Sequence, residues 1–223
     1  MSAGKRFKFQ GSTIQVLTGY ATSSPGDEIT GITNANPAVV HEPSHTRATG
    51  DVVRITGVVG MTEVNNGVFI IEKVDANYYN LVDVDSSGYG AYTSGGSVEG
   101  GVFSNFCELK GYNRQGGSSP ELDATTVCSE AQEFEIGLPN FGTTQLDFNF
   151  APRTAVQLAV AAYYSGSSKG QTWAVRIALP NSGGNMAQLG FIQQTSEQAA
   201  TNGLWAASMT VRNTGVRYDY LAA

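Results

Sequence analysis

Glycine constrains this chain more than any other residue. Twenty-seven glycines are spread through 223 residues, and with Asn they cut runs rich in Val, Ile, Thr, Tyr and Phe into short pieces. β-Branched and aromatic side chains suit a pleated, half-buried surface, while Gly and Asn supply tight turns. The pattern predicts a mainly β protein. A hydrophobic content of 41% suffices for a core, in one large or two small domains.

Strand-like runs follow one another along the chain. Ser12 to Leu17 alternates but is too short to stand alone. Asp51 to Ile55, Val68 to Ile71 and Tyr79 to Val84 form a second group, with Asn65-Asn66-Gly67 as the sharpest turn signal. Val102-Phe103, Phe106 to Leu109 and Gln145 to Phe150 come next, the last placing Leu146, Phe148 and Phe150 on one face. Thr172 to Leu179, Leu189 to Gln193, Leu204 to Val211 and Val216 to Tyr220 complete the set. The best helix spans Pro152 to Tyr164, with Pro152 at the first helical position, Val156, Ala159, Val160 and Tyr163 on one stripe, and Gly166 as terminator. The expected architecture is a β-sandwich with one flanking α-helix, plus an inserted small β-barrel.

The insert is read between two breakers, Ser23-Ser24-Pro25-Gly26 and Ser94-Gly95-Gly96-Ser97. Domain boundaries then fall at 28–98 for the insert, and at 1–27 with 99–223 for the interrupted domain around it. Charge supports the division. Glu28 to Val98 holds eight acidic and three basic residues, whereas the other 152 residues hold eleven and ten.

The formal charge of −6 argues against nonspecific nucleic-acid binding, which needs a basic surface to displace counterions from phosphates. No apolar run approaches the roughly 20 residues of a membrane span, and the basic start Lys5, Arg6, Lys8 leads into no apolar signal core. A soluble chain made in a reducing cytoplasm is expected, with Cys107 and Cys128 as free thiols.

Enzyme chemistry finds little support. From Gln115 to Pro152 there are six carboxylates and no Lys, Arg or His, so no local group can act as a base near neutral pH. His41 and His45 flank Glu42, but Pro43 interrupts any helical metal spacing, and surface-loop positions are expected for them. Asp83 and Asp85 read as a solvated strand end, and the Gly116-Gly117 and Gly183-Gly184 pairs as turns. Trp173 and Trp205 read as core or inter-subunit anchors. No catalytic residue, cofactor or metal is expected. A carbohydrate- or receptor-binding β-module is the alternative class, for which an exposed cluster of Tyr78, Tyr79, Tyr89 and Tyr92 would be the distinguishing feature.

Two stretches carry resemblances. The segment from Glu28 to Val98, with its Gly-Asp-Val-Val, Gly-Met-Thr-Glu-Val-Asn-Asn and Tyr-Thr-Ser-Gly-Gly elements, resembles a small β-barrel module of phage structural proteins. That module is similar to a half-domain of ubiquitin-activating enzymes; the likeness implies a fold and no ubiquitin chemistry. The order Asp-Ala-Thr-Thr-Val-Cys-Ser, Gly-Leu-Pro-Asn-Phe-Gly, Leu-Asp-Phe-Asn-Phe, a single Pro-started helix and Trp-Ala-Val-Arg-Ile-Ala-Leu-Pro-Asn resembles the major tail tube proteins of long-tailed phages over about 150 residues.

This second resemblance implies a structural virion protein of the tail, assembled in the host cytoplasm. It implies hexameric rings stacked into a DNA conduit around a tape-measure protein, bounded by tail terminator and distal tail proteins. Asp123, Thr125, Thr126, Ser129, Gly137, Leu138, Pro139, Phe141 and Gly142 then fall at a ring or stacking interface. For Glu130, Glu133 and Glu135 two readings stand, a lumen-facing acidic surface that repels phosphates or a solvated loop. Lys5, Arg6 and Lys8 are either partners of such acids or a mobile terminus. An insert of about 70 residues per subunit belongs on the outer wall, since the lumen must pass DNA with a diameter on the order of 20 Å. Gln115 to Ser119 is expected to be flexible until docking.

Overall fold

The computed structural model describes residues 6–21 and 27–221. The described strands are β1 (Thr13–Tyr20), β2 (Gly31–Ile32), β3 (Val39–His41), β4 (Val52–Val59), β5 (Val68–Lys73), β6 (Tyr78–Leu81), β7 (Ser94–Asn105), β8 (Leu109–Gln115), β9 (Glu121–Asp123), β10 (Phe134–Ile136) and β11 (Thr143–Asn149). Helix α1 (Ala155–Tyr164) precedes β12 (Trp173–Ala178), β13 (Asn185–Gln198) and β14 (Ala206–Tyr220). Twelve strands form one antiparallel sheet in the order β2-β3-β6-β5-β4-β7-β1-β12-β13-β14-β11-β8, and β9 and β10 pair by themselves. The protein is mainly β with one α-helix among the described residues.

Two hydrophobic cores lie along this sheet. The strands from β2 to β7 curl until Glu28 bridges Ser97, with Ile29 N–H donating to Gly96 O at 3.0 Å and Val98 N–H to Asp27 O at 2.9 Å. The result is a small barrel. Its core holds Val40, Val53, Ile55, Met61, Ile71, Tyr79, Leu81 and Val98. The other core gathers Val16 and Leu17 from β1, Leu146 and Phe148 from β11, Trp173 and Val175 from β12, Met209 and Val211 from β14, and Val156, Val160 and Tyr163 from α1. The Trp173 indole N–H donates to Leu17 O at 3.1 Å, so this large side chain is buried without an orphaned donor.

β7 belongs to both cores. Its first half pairs with β4 and its second half with β1. The Ser94-Gly95-Gly96-Ser97 stretch, expected as a breaker, is therefore the start of a twelve-residue strand. Gly96 has φ +105°, and a Cβ there would lie 2.8 Å from Val58 Cγ2. Glycine serves close approach at this point, not chain reversal. The matching breaker Ser23-Ser24-Pro25-Gly26 lies outside the described residues, as does Lys5.

Contacts across the junction fix one core against the other. Val52 and Ile70, from β4 and β5, are buried in the larger core. Arg176 Nη1 lies 3.0 Å from Asp51 Oδ1, and its guanidinium sits 3.8 Å over the Phe103 ring. Arg54 pairs with Glu99 and lies 4.3 Å over the Tyr20 ring.

Inside the barrel, Glu42 is 1% exposed. It accepts from Arg47 Nε at 3.0 and 2.9 Å and from the Tyr79 hydroxyl at 2.8 Å. Arg47 also reaches Asp27 Oδ1 at 3.2 Å. His45 is buried too, with Nδ1 accepting from Arg47 N–H at 3.3 Å and its ring edge on Tyr79. His45 is thus interior and His41 half-buried in β3, contrary to the surface-loop expectation for both, and Glu42 is interior because Arg47 and Tyr79 neutralise and hydrogen-bond a carboxylate that is otherwise costly to bury.

Some boundaries also differ. α1 starts after Thr154, whose side chain accepts from Gln157 N–H, so Pro152 lies in the preceding turn. The expected stripe of Val156, Ala159, Val160 and Tyr163 is buried. Phe106 to Glu108 form a turn before β8, and the two expected C-terminal strands are one, β14, which runs through Gly215 at φ +72°.

Arg47→Met leaves Glu42 buried and unpaired, with an expected cost of about 3–5 kcal/mol in urea unfolding. Burial holds Tyr79 above the ordinary tyrosine range, with the Glu42 charge adding to it, and burial followed by Tyr163 does the same for Tyr20. A raised folded-state value means stability is full below about pH 10 and falls above it, by about 1.4 kcal/mol per pH unit for each tyrosine. Denaturation between pH 8 and 11 measures this, and Tyr79→Phe should flatten the decline.

Candidate assembly interface

The end of the sheet formed by β13, β14, β11 and β8 has one dry side and one wet side. Thr144, Leu146 and Phe148 of β11, with Ala207, Met209 and Val211 of β14, face the core. Strand alternation turns Thr143, Gln145, Asp147, Ser208, Thr210 and Arg212 the other way. That wet side is mostly uncharged and internally bonded, with Gln145 Nε2 donating to Asp147 Oδ1 at 3.0 Å and the Ser196 and Ser208 hydroxyls 2.8 Å apart.

Both edges of this four-stranded unit are open. β8 has β11 on one side and ends the sheet. β12 covers β13 only from Asn185 to Gly190, so Phe191 to Gln198 have no strand on that side among the described residues. Unpaired N–H and C=O rows are templates for another strand, and proteins normally cover or blunt them.

Between β8 and β11 the chain leaves the sheet as a long arm, residues 116–142. Its base is pinned by Ser118 and Asn140, which exchange backbone hydrogen bonds at 3.0 and 2.9 Å. Gly117 is required there, since a Cβ would fall 1.9 Å from Asn140 O. The Gln115 to Ser119 segment, expected to be flexible, is held by this pairing. Further out, Phe134, Glu135 and Ile136 pair with Asp123, Leu122 and Glu121.

The arm tip is shaped by the residues that the sequence singled out. Asp123 Oδ1 accepts from Thr125 N–H at 2.9 Å, and the Thr125 hydroxyl first and this N–H second hold the carboxyl below its usual range. Thr125 Oγ1 accepts from Glu133 N–H at 3.0 Å, and Ser129 Oγ from Thr126 N–H at 3.0 Å. Gly137 N–H donates to Pro120 O at 2.7 Å. At the foot, Asn213 Nδ2 donates to Phe141 O and Asn213 N–H to Gly142 O. Asp123, Thr125, Thr126, Gly137, Leu138, Pro139 and Phe141 therefore lie on one element.

What the arm exposes is apolar and acidic. Leu138 is 88% exposed and Ile136 81%, and Leu122, Val127 and Phe134 are also exposed. Glu130, Glu133 and Glu135 are exposed on the same arm, Glu135 opposite Leu122 and on the face away from Phe134 and Ile136. A two-stranded hairpin carrying this much apolar surface is marginal alone in water. Sequence reading missed β8, β9 and β10, although the spaced Leu122, Phe134 and Ile136 were a usable signal.

Other candidates are dispersed. Tyr79 is fully buried, the Tyr92 hydroxyl donates to Ile29 O and Gly95 O, and Tyr89 packs on the barrel core. Tyr78 is exposed and stacked on His41 at 4.4 Å. The four tyrosines form no shared exposed platform. Trp173 is core, Trp205 is 55% exposed beside Phe150, and Cys107 and Cys128 are free and exposed. No helix among the described residues is long and apolar enough to cross a membrane.

Residues 28–100 match the family model described as the ubiquitin-activating enzyme E1 FCCH domain, about a third of the chain. No curated protein matches the sequence. Among solved structures, the chain is similar to the SPP1 tail tube determined by solid-state NMR and cryo-EM, at 11% identity and a TM-score of 0.41, covering 54% of this chain and 69% of that one.

Proposed function

We propose that this chain is a non-enzymatic structural subunit, the major tail tube protein of a long-tailed phage, forming hexameric rings that stack into a conduit for DNA. The observation that carries this reading is the four-stranded unit with two open edges and one wet side. β8 of one copy pairing with Phe191 to Gln198 of the next is a head-to-tail contact, and such contacts form rings when the rotation between copies closes. The wet side then lines a channel of mostly Thr, Ser and Gln groups, where Arg212 and Lys110 are cations that Asp147 partly offsets. The arm, with Asp123, Thr125, Thr126, Gly137, Leu138, Pro139 and Phe141, contacts neighbouring copies. Glu130, Glu133 and Glu135 keep phosphates from adhering wherever the arm borders the lumen. Residues 28–98 form a separate barrel unit on the outer wall, where they leave the bore clear. A tape-measure protein fills the tube before DNA passes, and terminator and distal tail proteins cap it.

Negative-stain microscopy of the purified chain over a concentration series should reveal rings or tubes, and a monomer at every concentration would refute the reading. Asn113→Lys with Gln194→Lys places like charges on the two open edges. Unfolding free energy should change by no more than about 0.5 kcal/mol per substitution, while the concentration needed for assembly rises by about tenfold or more. Ile136→Ser in the arm should likewise leave thermal unfolding within about 0.5 kcal/mol of the parent and weaken assembly. An electron-microscopy map with a smooth exterior and a filled bore would remove the barrel from the outer wall.

A further inference from the structure

α1 is a surface helix without a polar side. Its ten residues, Ala-Val-Gln-Leu-Ala-Val-Ala-Ala-Tyr-Tyr, include no charged side chain. Its one polar residue besides the tyrosines, Gln157, is buried, accepting from Ala151 N–H and donating to Asn149 O, both at 2.8 Å. The side turned away from the core is Ala155, Leu158, Ala161 and Tyr164, with Leu158 56% exposed. A helix that is apolar all round is normally covered on every side. A groove of about 330 Å³ runs beside it, with Phe150, Pro152, Val160 and Tyr164 on the helix side and Thr195, Ser196 and Glu197 of β13 on the other, so an acidic partner is favoured along the outward face and not in the groove. Arg153 precedes the helix and Lys169 follows it, both exposed.

We infer that the outward side of α1 is the docking site for the 116–142 arm of a second copy of this chain. This rests on the assembly reading above and adds the acceptor. The arm has the complementary chemistry: exposed Leu122, Val127, Phe134, Ile136 and Leu138, five carboxylates, and no basic residue. Apolar residues meet the bare helix while the arm's acids meet Arg153 and Lys169, which orients the contact. Position agrees with charge. The arm leaves the sheet at the Gln115 and Thr143 ends of β8 and β11, whereas Asn149, at the other end of β11, leads into Pro152 and α1. One copy therefore carries donor and acceptor at opposite ends of the same strands, as head-to-tail stacking requires. An arm of this length reaches up to about 40 Å if extended, enough to pass a neighbour's rim and lie along α1.

The test uses the full chain. Leu158→Glu, checked by circular dichroism to be folded, should raise the assembly concentration by about tenfold or more, and Leu158→Met should assemble like the parent. A Cys107→Ser, Leu158→Cys variant keeps native Cys128 on the arm. After assembly a short bismaleimide should link Cys128 to the new cysteine between copies, giving a ladder on denaturing gels, and the new cysteine should be protected from maleimide dye. Tubes that form equally well with Leu158→Glu would overturn the inference and leave the assembly reading intact. Protection without a ladder would assign the cover to another segment and overturn it as well. A parent chain that never assembles would overturn both.

Discussion

Strand β7 is the constraint on which the rest depends. Twelve residues of one strand pair first with β4 and then with β1, so the barrel and the larger body share a continuous hydrogen-bonded ladder. A ladder transmits orientation as a flexible linker does not. Val52 and Ile70 fill the body core from the barrel side, and Arg176 and Arg54 close the seam over Phe103 and Tyr20. The acidic barrel is thus held in register with the rest of the sheet.

Within that frame the molecule divides into finished and unfinished surfaces. The barrel closes on itself through Glu28 and Ser97 and buries even a carboxylate, Glu42, with its partners in place. The β13-β14-β11-β8 unit does the opposite. It leaves two strand edges open, extends an apolar hairpin into solvent and carries a helix with no polar side. Each of these features is unfavourable in an isolated subunit, and each would be relieved by another copy. Their concentration in one half of the chain is the physical basis for reading it as an assembly unit.

Much of the fold was legible in the sequence because it depends on local pattern. Alternation gave β1 and β11, apolar runs between turn residues gave β5 and β12, and the Val156, Ala159, Val160, Tyr163 stripe gave α1. Asn65-Asn66-Gly67 marked a turn that Asn66 makes at φ +61°. Where reading failed, a non-local contact had overruled a local signal. Gly95 and Gly96 looked like a break, yet they let β7 approach Gly57 O, Val58 and Ile29. His45 looked like loop surface, yet Arg47 and Tyr79 hold it inside beside Glu42. Gln115 to Ser119 looked flexible, yet Asn140 pairs with Ser118.

The sequence alone determined the mainly β class and the segregation of negative charge between Glu28 and Val98, because composition and residue order suffice for these. Only the tertiary structure decided that Asp123, Thr125 and Thr126 shape a projecting hairpin through its own backbone, that one edge of β8 and of the outer half of β13 has no strand beside it among the described residues, and that α1 is exposed on its outer side. Edges and uncovered faces are properties of what is missing beside a strand or helix. A linear pattern records which residues a face carries, and the folded chain alone determines whether anything lies against it.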